Sequence, residues 1–103
     1  MAEVVWSRRA YADLEAIGEY YAQTAPGYAE VLVRTLLRVA ERLEVFPMSG
    51  RVVPEIEDED LREVVHRNYR IVYLHLPGED RVEVLTVFHA SQQFGALPGT
   101  QDG

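Results

Sequence analysis

The chain has 103 residues, of which 48% are hydrophobic, and it contains no cysteine. This size and composition predict one folded domain over residues 1–103, with 97–103 as a loose tail, and they exclude disulfides and thiolate metal sites. The formal net charge of −7 disfavours general binding to nucleic-acid phosphates. No apolar run approaches the ~20 residues of a membrane span, so we expect a cytoplasmic protein that does not contact membranes.

The first half of the chain is predicted to form a short strand followed by two helices. Glu3–Trp6 is rich in strand-forming residues, and Ser7 stands at the N-cap position of a helix over residues 8–22. One face of this helix carries its apolar residues, Ala10, Leu14, Ile17 and Tyr21. After a break at 24–27, a second helix is predicted over 28–46, with an apolar stripe of Leu32, Leu36, Val39, Leu43 and Phe46. So short a break predicts an antiparallel hairpin that packs on a sheet.

Residues 47–60 are predicted to form a connecting loop that ends in an acidic run at 55–60. The carboxylates of this run lack the spaced glycine and the ligand order of a calcium loop, so a solvated loop is the favoured interpretation. The three histidines of the chain are scattered and show no zinc-binding spacing. We therefore expect no metal ion and no cofactor.

Residues 61–89 contain three short runs of Val, Ile, Leu, Tyr and Phe, and Pro77-Gly78 separates the last two. Such a pattern is typical of an antiparallel meander. The predicted fold class is therefore α+β, with an N-terminal strand, an antiparallel helical hairpin and a three-stranded antiparallel meander.

A four-residue loop at 77–80 would fix the pairing of the last two strands. On one face the predicted pairs are Leu76–Arg81, Leu74–Glu83, Val72–Leu85 and Arg70–Val87. On the other face they are His75–Val82, Tyr73–Val84, Ile71–Thr86 and Tyr69–Phe88. The second face is aromatic and β-branched, and we expect it to pack on the helices. The register of the first two strands of the meander is not fixed by this reasoning, so Arg62 is not assigned to a face.

The same pairing places Arg70 and His89 together on the less covered face, which is half apolar and half charged. We expect something to cover it, either a partner chain or residues 90–97 folded back over it. Arg70 either binds a phosphate or a partner, or forms ion pairs with the acidic run or with Glu83. His89 is either a catalytic base or a hydrogen-bonded residue at the end of a strand.

Several short motifs follow one another along the chain: S-R-R-A-Y-A-D-L-E-A-I at 7–17, P-M-S-G-R at 47–51, L-R-E-V at 61–64, Y-R-I-V-Y at 69–73 and V-L-T-V-F-H at 84–89. Together with the order of the elements, they make the chain, from Val4 to about Phe94, resemble the RelE/ParE superfamily of toxins from bacterial toxin–antitoxin pairs. RelE-like members cut messenger RNA on the ribosome, and ParE-like members poison DNA gyrase.

This resemblance implies a role for two residues if the chain is a nuclease. Arg70 matches the phosphate-stabilising arginine of RelE-like nucleases, and His89 matches a catalytic histidine found in some of them. The basic residues and the catalytic tyrosine that follow in those nucleases are absent from residues 90–94 here. We therefore favour a ParE-like toxin that inhibits gyrase by binding. The alternatives are a ribosome-dependent messenger RNA endoribonuclease using Arg70 and His89, and a non-toxic homologue that only binds an antitoxin.

The resemblance also implies a cognate antitoxin, which would wrap the toxin with a helix and an extended segment and form an oligomer with it. Candidate partner-binding residues lie on the less covered face or match positions that are often basic in the superfamily: Arg51, Arg62, Val72, Leu74, Glu83 and Leu85. Because the toxin is acidic, we expect the antitoxin to be less acidic than usual at the interface.

Overall fold

The first helix begins directly after the first strand because Ser7 caps it. The structure, a computed structural model, describes residues 1–92, and the tail expected at 97–103 lies outside that range. Strand β1 spans Glu3–Trp6 and helix α1 spans Arg8–Ala22. The Ser7 hydroxyl oxygen accepts the backbone N–H of Ala10 at 3.0 Å, which satisfies one of the unpaired donors of the first turn. The predicted strand, cap and helix are confirmed.

Helix α2 spans Pro26–Glu41 and continues as a short 3₁₀ turn at Arg42–Glu44. It starts earlier than predicted because Pro26 fits the first helical turn, where its missing N–H costs nothing. The predicted end at residue 46 is wrong, and Phe46, beyond the turn, is 64% exposed. The rest of the predicted stripe is buried, namely Leu32, Leu36, Val39 and Leu43. No helix within residues 1–92 is long and apolar enough to cross a membrane.

The sheet has five strands in the order β1-β5-β4-β3-β2. The three strands of the predicted meander are β3 (Leu61–His66), β4 (Tyr69–Leu76) and β5 (Arg81–His89). Strand β1 pairs in parallel with β5, whereas the remaining pairs are antiparallel. The sequence did not predict β2 (Arg51–Val52), a two-residue strand at the edge beside β3. The α+β fold class and the meander are confirmed.

The register of β3 and β4, which the sequence left open, is set by a two-residue connection between His66 and Tyr69. Arg62 lies opposite Tyr73, whereas Glu63 lies opposite Val72. Because side chains alternate along a strand, Arg62 is on the face that packs against the helices and Glu63 is on the other face.

The pairing of β4 and β5 contains a bulge that the sequence did not predict. The predicted pairs hold from Leu76–Arg81 to Tyr73–Val84, but Leu85 is then an extra residue, and the next pair is Val72–Thr86. Four predicted pairs are therefore wrong: the observed ones beyond the bulge are Val72–Thr86, Ile71–Val87, Arg70–Phe88 and Tyr69–His89. Val87 consequently belongs to the core beneath the helices, and Phe88 to a smaller apolar cluster on the other face.

Contacts from the start of α1 stabilise the bulge. The backbone N–H of Ser7 donates to the carbonyl of Val84 at 2.9 Å, and its hydroxyl donates to the carbonyl of Leu85, also at 2.9 Å. Further along α1, the Asp13 carboxylate accepts the Thr86 hydroxyl and, at 3.0 Å, the backbone N–H of Val87. Backbone groups of β5 at and beside the bulge thus find partners in Ser7 and Asp13, beyond the end of β1.

Candidate functional site

A row of alternating charges crosses the face of the sheet opposite the helices; it consists of Glu55, Arg70, Glu63 and Arg51, and we call it the charge chain. Both terminal nitrogens of Arg70 bond the two carboxylate oxygens of Glu55, at 2.9 and 2.8 Å. Nε of Arg70 bonds Glu63 at 2.6 Å, and a terminal nitrogen bonds the same oxygen. Arg51 binds the other oxygen of Glu63 at 2.6 Å. Of the two interpretations of Arg70, the ion pair with the acidic run is the one observed.

The charges in this row compensate one another. The side chain of Glu63 is fully buried and that of Arg70 is only 8% exposed, so neither charge has much water around it. Such burial is tolerated only when opposite charges and hydrogen bonds replace the lost water. The bond to Arg70 is the main cause that lowers the pKa of Glu55, and the bond to Glu55 is the main cause that raises the pKa of Arg70.

An apolar cluster lies beneath the charge chain. The guanidinium of Arg70 lies over the ring of Phe88, 5.0 Å from its centre, and Phe88 packs with Val53 and Val72. Val72 has no exposed surface. The expectation that Val72 contributes to an open partner-binding face is therefore wrong, since the chain's own residue Val53 helps to cover it.

The loop between β2 and β3 is bonded to the sheet at several points. The N–H of Val53 donates to the carbonyl of Leu61 at 3.1 Å, and the N–H of His75 donates to the carbonyl of Asp60 at 2.8 Å. Arg62, a predicted partner-binding residue, donates to the carbonyls of Glu59 and Gly50 at 2.8 and 2.9 Å. In the structure Arg62 therefore stabilises this loop.

His89 does not lie beside Arg70. The bulge in β5 places His89 opposite Tyr69, and the two rings meet edge to face with centres 5.4 Å apart. Nδ1 of His89 is 2.7 Å from the hydroxyl oxygen of Ser91. Because Arg70 pairs with Phe88 and His89 with Tyr69, the two proposed catalytic residues lie on opposite faces of the sheet. The prediction that they share a face is wrong.

The other predicted partner-binding residues remain accessible. Leu74 and Glu83 lie directly opposite each other, and both are half-buried, as is Leu85 at the bulge. The side chain of Arg51 is 61% exposed although it binds Glu63. These residues form a mixed apolar and charged surface, as the sequence predicted for this part of the sheet.

A second surface, which the sequence did not single out, is an apolar groove on the outer side of the two helices. Its volume is about 560 Å³, and Tyr11, Leu14 and Val33 contribute to it. The helices approach closely here, since a Cβ at Gly18 would lie 3.2 Å from Val33. Glu15 and Glu19 form an acidic wall of the groove. An apolar groove with one acidic wall suits an amphipathic helix that carries basic residues.

The site residue that sequence reasoning missed is Glu63, whereas Glu55 was considered only as part of the acidic run. Glu63 stands among apolar residues in β3, and an acidic residue in such a strand is a signal that a cation lies nearby. Its partners could not be named without the register of β3. Within residues 1–92, no three His, Asp or Glu side chains are grouped so that they could hold a metal ion.

Comparison with known proteins gives consistent matches over nearly the whole chain. The family model described as the ParE toxin of the type II toxin–antitoxin system parDE matches residues 4–94. Toxin RelE2 of Caulobacter vibrioides is 37% identical over 93 residues, which cover 89% of this chain and 99% of that protein.

Two solved structures share the fold. One, described as the chromosomal ParDE TA system from P. aeruginosa, has a TM-score of 0.70 at 22% identity and covers 86% of this chain and 96% of that one. The other, the isolated E. coli RelE toxin, has a TM-score of 0.56 at 19% identity and covers 91% and 89%.

The fold and these matches define a toxin of the RelE/ParE superfamily from type II toxin–antitoxin systems. Within that superfamily, the extent of the family match shows that the chain belongs to the ParE toxin family.

Proposed function

We propose that this chain inhibits DNA gyrase by binding to it, performs no chemistry of its own and is neutralised by a cognate antitoxin. The observation that carries the proposal is that Arg70 is bonded to the buried carboxylate of Glu63 on one face of the sheet, whereas His89 lies on the other face. A nuclease needs such a cation directed at the phosphate on which charge develops. It also needs a base within reach of the same phosphate, and His89 is on the other face of the sheet.

One finding favours the alternative of a ribosome-dependent messenger RNA endoribonuclease. The relative at 37% identity is named Toxin RelE2, and that name belongs to the nuclease branch of the resemblance described above. On this alternative Arg70 and His89 would be catalytic, which requires groups on opposite faces of the sheet to act on one phosphate. The gyrase proposal has no such requirement.

The structure offers two surfaces for the antitoxin. The groove on the outer side of the helices can take an amphipathic helix, and its acidic residues Glu15 and Glu19 favour a basic partner. The accessible part of the sheet, with Leu74, Glu83 and Leu85, can take an extended segment. Both surfaces support the expectation that the antitoxin is less acidic than usual where it touches this toxin.

The test is to induce the chain alone in a bacterial host and to assay the purified protein on gyrase. We expect growth arrest with a DNA-damage response, intact messages and loss of supercoiling activity in vitro. Rapid cleavage of messages at ribosomes would overturn the proposal in favour of the nuclease. Absence of any arrest would instead indicate a non-toxic homologue that only binds its antitoxin.

A single variant sharpens this test. His89 is half-buried at the end of β5. Within residues 1–92, its side chain forms hydrogen bonds only with the nearby residue Ser91. His89→Ala should therefore leave the fold and the toxicity unchanged if the chain acts by binding. Arg70→Ala is less informative because it would leave the buried carboxylate of Glu63 with one cation fewer.

A further inference from the structure

The two carboxylates bound to Arg70 differ in how firmly the fold places them. Glu63 is fully buried in β3 and is also bound by Arg51. The side chain of Glu55 is 42% exposed and belongs to a loop. Glu63 could leave Arg70 only if the strands of the sheet moved apart. Glu55 can leave Arg70 by rotation of its side chain into water.

The backbone around Glu55 does not depend on the ion pair. The N–H groups of Ile56 and Glu57 both donate to the carbonyl of Val53, at 3.1 and 2.9 Å. Val53 is itself bonded to Leu61, as described above. The loop can therefore keep its position while the Glu55 side chain moves.

The geometry of the bonds between Arg70 and Glu55 is one that arginine also uses to bind ligands. Two parallel N–H···O bonds from one guanidinium to both oxygens of one carboxylate are the arrangement by which arginine recognises carboxylate and phosphate groups on other molecules. The ring of Phe88 lies beneath the guanidinium and attracts its positive charge. Without Glu55, the charge chain would consist of two arginines and one buried glutamate.

We propose that the edge of Arg70 now bonded to Glu55 is a binding position for a single carboxylate from a protein partner, and that Glu55 occupies it when the partner is absent. The proposal goes beyond gyrase inhibition and does not depend on it. The partner's carboxylate would form the two bonds that Glu55 gives up, so the charge of the site stays the same.

The surroundings favour a lone carboxylate over a nucleic acid. Four further acidic residues follow Glu55 in the same exposed loop, namely Glu57, Asp58, Glu59 and Asp60. They would repel a polyanion with its row of phosphates, but they tolerate one carboxylate carried by a neutral or basic segment.

The test uses Glu55→Ala with acetate as the probe and inorganic phosphate as the comparison. The Nε–H signal of Arg70 in the NMR spectrum would be followed during titration at constant ionic strength and neutral pH. Glu59→Ala is the matched control, because it removes the same charge from the same loop without touching Arg70. We expect Glu55→Ala to bind acetate at least tenfold more tightly than the unmodified chain or Glu59→Ala does.

Every result of this titration decides the proposal. Equal acetate affinity in Glu55→Ala and Glu59→Ala, or no binding in either, would overturn it. Tighter binding of phosphate than of acetate would overturn the assignment to a carboxylate. If Glu55→Ala does not fold, Glu55→Gln keeps one acceptor for Arg70, and its acetate affinity should still exceed that of the unmodified chain; equal affinity would again overturn the proposal.

Discussion

The carboxylate of Asp13 accepts the backbone N–H of Val87 at 3.0 Å, so the first helix bonds the last strand directly beyond its bulge. The same carboxylate accepts the hydroxyl of Thr86 and forms an ion pair with Arg9 at 2.8 Å. Through this carboxylate α1 is bonded to two residues of β5 that follow the bulge, Thr86 and Val87.

Asp13→Ala should destabilise the protein by about 1–3 kcal/mol, because the N–H of the buried residue Val87 would lose its partner. Urea unfolding measures the change, and faster amide exchange at Val87 would locate it. Glu15→Ala is the control on the same helix, since Glu15 is exposed. Equal stability of the two variants would show that the Asp13 contact contributes nothing.

Tyr73→Phe should cost about 1–3 kcal/mol of stability, because the hydroxyl of Tyr73 makes one buried and one partly buried hydrogen bond that the variant cannot replace. The hydroxyl accepts the N–H of Gly50 at 3.0 Å and donates to the carbonyl of Pro47 at 2.7 Å. Tyr11→Phe removes a hydroxyl from an exposed ring and serves as the control. Thermal unfolding of the two variants gives the comparison, and similar melting temperatures would contradict the prediction.

Gly50→Ala should destabilise the protein by about 1–3 kcal/mol through overpacking. A Cβ at Gly50 would lie 2.6 Å from the carbonyl oxygen of Glu63 and 2.7 Å from the hydroxyl of Tyr73, and neither atom can move freely. A Cβ at Gly27, in the first turn of α2, would meet nothing within 4 Å. Gly27→Ala should therefore be neutral or stabilising in the same denaturation experiment, and a loss like that of Gly50→Ala would refute the steric argument.

The ion pair between Glu55 and Arg70 should make stability depend on pH in the acid range. The pKa of Glu55 is lowered in the folded protein. The pair therefore stabilises the fold fully at pH values above 4.5, the ordinary pKa of a glutamate. The stabilisation is lost as the pH falls through the lowered value. Within residues 1–92, the other charged groups that face the pair are Arg51 and Glu63.

Glu55→Gln should therefore be less stable than the unmodified chain at pH 7, by only about 1 kcal/mol since solvent screens the half-exposed Glu55. The difference should vanish at pH values below the folded pKa of Glu55. Unfolding curves across the acid range would show this convergence. A difference that persists unchanged at the lowest pH would mean that the Glu55 charge is not its cause.

Glu19→Arg should weaken antitoxin binding by roughly tenfold, mainly by slowing association, if a basic helix occupies the groove on the outer side of the two helices. Glu41→Arg makes the same charge change at the exposed end of α2, outside the groove, and should have a smaller effect. Binding kinetics at two salt concentrations would separate the two variants. Equal effects would indicate a response to net charge alone.

The features that the sequence predicts well are those encoded locally. Ser7 lies at the N-cap it was assigned, and the apolar stripe of α2 follows helical periodicity from Leu32 to Leu43. The bulge in β5 depends instead on residues far away in sequence: Ser7 is 78 positions from Leu85, and Asp13 is 74 positions from Val87. Strict alternation beyond Leu85 therefore gave the wrong faces for Phe88 and His89.

The candidate site was affected by the same difficulty. Arg70 was recognised as the central residue, and its pairing with the acidic run was one of the two interpretations considered. Glu63 was not recognised because its face depends on the register with β4, which no local pattern fixes. A charge chain that joins one loop and three strands can be identified only when those elements are placed together.

The extra residue in β5 bears on how relatives of this chain can differ in length. The pairs on either side of Leu85 are Tyr73–Val84 and Val72–Thr86. Tyr73 and Val72 are neighbours in β4, so Leu85 has no partner of its own in that strand. A relative that lacks this one residue would keep the same partners along the whole hairpin. It would lose the hydrogen bond from the Ser7 hydroxyl to the carbonyl of residue 85, and the Leu85 side chain from the accessible part of the sheet. We therefore expect single-residue gaps in alignments of this family to fall inside the last strand, at Leu85, rather than in the flanking turns.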